Sequence, residues 1–160
     1  MSCWTGKGRS DPLSMRDLKR LGIKRHWWQK TLYQFQQDRE EPLTYKNALC
    51  CYYRPIDGLI HDFGSIPLVA QIIPAFRKDR YADSYVMHDS GYSVCHSVMF
   101  SRDGKSWKER EITREYIDNM LHDMLIDQGA LRATADTIYF FVSMFGDKAW
   151  RKQTHLTHNG

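Results

Sequence analysis

The stretch Tyr81-Ala82-Asp83-Ser84-Tyr85-Val86-Met87-His88-Asp89-Ser90-Gly91-Tyr92 sets Tyr85, His88 and Tyr92 three and four residues apart, which puts them on one face of a helix. That spacing predicts a helix from Tyr81 to about Cys95. His88 brings it an imidazole, a base with an ordinary pKa near ~6.5 that suits proton abstraction at neutral pH. Asp89 follows directly and points about 100° around the helix. The two side chains therefore serve different atoms: in one cleft, His88 suits a base and Asp89 a metal ligand.

Working downstream, Val98-Met99-Phe100 and Trp107 flank Arg102-Asp103-Gly104-Lys105, a hairpin signal. Thr113 to about Asp127 reads as a second helix, with Ile117, Met120, Leu121, Met124 and Leu125 apolar. Asp118 sits among them, where a carboxylate is costly without a partner. If this helix packs beside the first, Asp118 can accept from an imidazole nitrogen and set its tautomer. The same spacing also suits a satisfied core histidine and a solvated Asp118. Leu131 to Phe145 reads as a third helix, ended by Gly146 in the C′ position. A four-residue connection makes the last two helices an antiparallel pair.

Upstream, residues 1–12 are small and polar and read as a flexible arm. Ser14 and Asp17 mark a helix start, giving a helix over about 14–26, while 27–37 fits either helix or strand. Residues 13–42 form a basic and aromatic segment, with Lys19, Arg20, Lys24, Arg25, His26 and Lys30 around Trp27 and Trp28. Leu43 to Ile60 reads as one or two short strands with Asp57-Gly58 as turn chemistry. His61 to Pro67 reads as a loop, and Leu68 to Ile73 as a short apolar turn before Pro74. The expected organisation is a single α+β domain: a strand-containing N-terminal half, a mainly helical core within 43–152, and a polar tail over 153–160.

The chain has 160 residues, 42% hydrophobic and 26% charged, with net charge +4. This is an ordinary globular composition, mildly basic and compatible with an anionic partner. No apolar run approaches the ~20 residues that cross a bilayer, and the N-terminus lacks the order of a signal peptide. Cys3, Cys50, Cys51 and Cys95 hold no C-x-x-C pair, which argues against structural zinc and for free thiols.

The order Asp62-x-x-Ser65-x-Pro67, His88-Asp89-x-x-Tyr92, Asp118, Asp123-Met124, then Tyr139, Phe145-Gly146 and Trp150 resembles the compact bacterial and fungal secreted phospholipases A2. From Ile56 to Trp150 the chain is similar still more closely to a family of phage and prophage proteins with an Asp-x-x-Ser-Ile-Pro and His-Asp-x-x-Tyr pattern. The phospholipase resemblance implies that His88 is a general base activating water and that Asp118 orients its ring. It implies calcium held by Asp89 and Asp62, with backbone carbonyls near Phe63 and Gly64, since calcium takes about six to eight oxygens. Ser65 would brace that loop, because it lacks the Gly-x-Ser-x-Gly elbow of a nucleophile. Tyr92 and Tyr139 would support the helix pair. The chain departs from the secreted enzymes in having Met87 before His88, no matching disulfide framework, and Phe63-Gly64 in place of a Gly-Cys step.

The resemblance implies a phage-encoded, calcium-dependent lipid esterase acting on phospholipid or a membrane surface, in the host cytoplasm or virion. The alternative is a non-catalytic protein on the same scaffold that contacts other phage virion proteins or the host. Its docking surface would be the N-terminal basic-aromatic segment, although a solvated helix face beside two buried tryptophans is the simpler reading of those residues. Nucleic acid is not an expected partner. Asp136 reads as a surface or capping residue, and His155 and His158 as part of a frayed tail.

Overall fold

A computed structural model describes residues 1–23, 31–61, 80–93 and 96–158, with side chains as far as residue 151. The fold is α+β, with two antiparallel sheets and helices packed beside them. The larger sheet runs β1-β4-β5-β7-β8, from β1 (Cys3–Thr5), β4 (Thr44–Lys46), β5 (Tyr52–Arg54), β7 (Ser97–Ser101) and β8 (Lys108–Glu111). The smaller runs β2-β3-β6, from β2 (Gly8–Pro12), β3 (Tyr33–Gln37) and β6 (Ile60–His61).

Residues 1–12 are therefore no flexible arm. Trp4 pairs with Tyr45 across β1 and β4, and Ser10 pairs with Phe35 across β2 and β3. The Trp4 ring lies 5.0 Å from that of Tyr45, and its Nε1 donates to the Met124 carbonyl at 3.4 Å. Tertiary burial of one aromatic outweighs the polar composition around it. The ambiguous 27–37 stretch resolves as strand over Tyr33–Gln37. His61, read as loop, closes β6 by pairing with Tyr33.

The first helix, α1 (Met15–Arg20), is shorter than expected. Ser14 and Asp17 form a reciprocal capping box, which satisfies two orphan amides, and the chain turns at Gly22. The basic-aromatic residues Lys24 to Lys30, the loop from Asp62 to Pro67, the apolar turn Leu68 to Ile73, and Cys95 lie outside the described residues.

The second helix, α2 (Ala82–Gly91), is buried on two sides. Val86 joins Phe35, Leu43 and Leu59 of the small-sheet core. Tyr85 and Met87 join the main core with Tyr45, Tyr53 and Phe100 of the large sheet. Ile117, Leu121 and Met124 of α3 (Arg114–Asp127) and Ile138 of α4 (Arg132–His158) complete that core.

The α2 and α3 helices run antiparallel. At one end the Ser84 amide donates to Gln128 Oε1 at 3.0 Å, and Gln128 Nε2 donates to Asp83 at 3.1 Å. At the other end lie His88 and Asp118. Helices α3 and α4 are antiparallel as expected, since His122 meets Asp136 while Arg114 meets Asp147.

Gly146 does not end the last helix, since α4 continues to His158. A Cβ built on Gly146 would lie 2.4 Å from Tyr92 Oη. The glycine is there so that α4 can approach the end of α2. Gly91 plays the same part between α2 and α3, where a Cβ would lie 2.6 Å from Ile117 Cγ1.

Candidate functional site

The last turn of α2 and the first turns of α3 bring three sequence-predicted residues together. His88 Nε2 lies 2.8 Å from Asp118 Oδ1. The Tyr92 hydroxyl, one turn after His88, donates to the same oxygen at 2.9 Å. A carboxylate only accepts, so Nε2 is the donor, and in a neutral ring that arrangement leaves the lone pair at Nδ1. The Tyr92 ring also lies against the imidazole, with centroids 4.4 Å apart. Burial, and then the Asp118 charge, hold the Tyr92 phenol above the usual phenol range, so it stays protonated and keeps donating.

Asp118 has a further partner that sequence reading missed. Arg114 Nε lies 3.4 Å from Asp118 Oδ2 and 3.3 Å from the Tyr92 hydroxyl. The same guanidinium donates to the Val142 carbonyl at 3.3 Å and to the Ser143 carbonyl, and pairs with Asp147 at 3.3 Å. Arg114 thus ties the carboxylate to α4. Its position four residues before Asp118 on one helix was the signal available.

Asp89 faces away from this pair, as its place on the helix requires. Its Oδ2 lies 3.6 Å from Nδ1 of the buried His61, whose Nε2 is 2.8 Å from Ser10 Oγ. That chain of side chains links the small sheet to α2. Neither Ser10 nor its part in the link was legible, because the contact joins β2 to β6 across an intervening strand.

The set expected for calcium is all oxygen, which suits that ion. Asp89 lies beside His61, the last residue of β6. Asp62, Phe63, Gly64 and Ser65 themselves lie outside the described residues. Among the described residues no three metal-ligating side chains converge.

Tyr139 is not part of the pair. It packs edge-on against His122, with ring centroids 5.9 Å apart, one turn along α3 from Asp118. His122 Nε2 lies 2.7 Å from Asp136 Oδ1, so Asp136, exposed at the surface as expected, also joins the two helices. Trp150 meets the Tyr92 ring edge-on at 5.0 Å and closes the other side.

Among the described residues no helix is long and apolar enough to cross a membrane. Compared with protein-family models, curated proteins and solved structures, the chain matches none.

Proposed function

We propose that the chain is a phospholipase A2-like hydrolase of lipid esters, encoded by a phage, with His88 as general base. The observation that supports it most is the 2.8 Å contact between His88 Nε2 and Asp118 Oδ1, with the Tyr92 hydroxyl on the same oxygen. A histidine oriented through one nitrogen leaves the other as a base of defined direction. His88 Nδ1 takes a proton from water as the water oxygen attacks the ester carbonyl carbon. The ester C–O bond then breaks, and the proton passes from His88 to the departing alcohol. Asp118 stabilises the imidazolium formed between these steps, and Arg114 holds Asp118 in place. Asp89, with Asp62 and the carbonyls of Phe63 and Gly64, would hold calcium. Bound there, that ion supplies polarisation of the ester carbonyl. The partner is a phospholipid membrane surface of the host.

A second reading has one observation in its favour. The His88 and Asp118 side chains are 6% and 5% exposed, as befits a polar pair that only ties two helices together. On that reading the protein is a non-catalytic virion or host-interaction component.

The test is fatty-acid release from phospholipid vesicles with calcium or with a chelator. Hydrolysis is expected with calcium and is lost in His88→Asn, which keeps the wild-type melting temperature within a few degrees. Calcium is expected to raise that temperature in wild type and not in Asp89→Ala, because a ligand of the folded state stabilises it. Equal release by His88→Asn would remove the assigned base. Copurification with phage particles, without hydrolysis or a calcium effect, would establish the second reading.

A further inference from the structure

Helix α4 has an inner and an outer face. Ala135, Ile138 and Gly146 are buried. Opposite them Asp136, Phe140, Met144 and Lys148 follow at every fourth residue, and all four are exposed. Phe140 is 57% exposed and Met144 61%. Residues four apart form one of the ridges through which helices pack. The neighbouring row holds Thr137, Phe141 and Phe145, the last of them 54% exposed. Two phenylalanines and a methionine in adjoining rows make an apolar patch on an element whose other face is fully used.

We propose that this ridge is an interface with a second copy of the chain, the two α4 helices packed antiparallel about a twofold axis. The order of the ridge carries the inference: acid, apolar, apolar, base. When such a ridge lies beside its own copy in reverse, positions symmetric about 142 come together. Phe140 then meets the partner's Met144, and Asp136 meets the partner's Lys148. A twofold axis repeats each pair, so one helix supplies both halves of a closed set of contacts. Packing i±4 ridges alongside each other is the commonest helix-packing class, at a crossing angle of about −50°.

Asp136 uses one oxygen on His122 and its side chain is still 58% exposed, so it can take a second cation. Lys148 has no ion-pair partner among the described residues. A parallel pairing in register would set Asp136 on Asp136 and Lys148 on Lys148. An anionic lipid surface would repel the acid at one end of the same ridge. The pattern fits its own reverse better than either.

Sedimentation equilibrium of the full chain tests this. A concentration-dependent monomer–dimer equilibrium is expected. Lys148→Asp and Asp136→Lys should each weaken it about tenfold, since each turns two attractive pairs into repulsive ones. The two substitutions combined should restore the dimer to within about threefold of wild type. Met144→Lys, which alters an exposed side chain, should abolish the dimer with an unchanged circular dichroism spectrum. A monomer at every concentration overturns the proposal, as does a double variant no better than the single ones. Binding of phosphatidylserine vesicles that is lost in Met144→Lys, with no dimer in wild type, would assign the patch to lipid and overturn it too.

Discussion

A carboxylate buried in α3 costs stability unless its oxygens are occupied, and Asp118 is met by the imidazole of His88, the phenol of Tyr92 and the guanidinium of Arg114. Each donor comes from a different turn of two antiparallel helices, so the carboxylate is set only when α2 and α3 are docked. Gly146 extends this set to α4. Replacing it with alanine drives a methyl into the Tyr92 hydroxyl, 2.4 Å from the ideal Cβ. Overpacking of this kind typically costs about 1–3 kcal/mol, and Gly146→Ala should lower unfolding stability by that order in urea titrations. In a Tyr92→Phe background the nearest remaining atom is Cζ, at 3.3 Å, and the penalty should drop by more than half. An equal penalty in both backgrounds would show that Tyr92 is not what α4 closes upon.

At the scale of elements, the hairpin between β7 and β8 depends on one acid. Asp103 accepts from the Ser106 and Lys105 amides and from the Ser101 hydroxyl, each at 2.8 Å. These bonds, the Ser106 amide first, hold its carboxyl well below the usual carboxylate range. A carboxyl depressed in the fold stabilises it fully above its unfolded value, and the gain is lost as pH falls through the folded one. Asp103→Asn should therefore melt at a lower temperature than wild type near neutrality. The gap should narrow as the solution is acidified below the ordinary carboxylate range, measured by circular dichroism melts. A gap that is constant with pH would contradict the account of the turn.

The hairpin was legible because Asp-Gly between apolar stretches is local chemistry. So was α3, whose Thr113 cap accepts from the Tyr116 amide at 3.3 Å and whose apolar positions recur at helical spacing. The end of α4 was not legible. A glycine after an apolar helical run reads as a terminator until a distant tyrosine is known to need the space.

At the scale of the whole molecule, the N-terminal strands join both sheets to the helical core. Their sequence is polar and short of periodicity, and only long-range partners such as Tyr45 and Phe35 make them strands. Local reading cannot find such partners. Trp4 packs on Tyr45 and reaches the Met124 carbonyl on α3, so Trp4→Ala should cost about 2–3 kcal/mol, somewhat below the range for a fully buried aromatic. Removal of residues 1–12 should lower the melting temperature further. A truncated chain as stable as the full one would show the strands to be ornament.

The site divides along the same line. His88, Tyr92 and Asp118 were legible from a helical spacing and one buried acid, whereas the Ser10–His61–Asp89 link was hidden by its distance along the chain.

The central claim is that His88, oriented by Asp118, activates water against a lipid ester. Its most direct test is hydrolysis of phospholipid vesicles in water enriched in heavy oxygen, followed by mass spectrometry of the released fatty acid. One labelled oxygen per fatty acid is predicted with wild type, and a loss of release of at least about a hundredfold with His88→Asn. Undiminished labelled release by His88→Asn, or no release by wild type with calcium present, would contradict it.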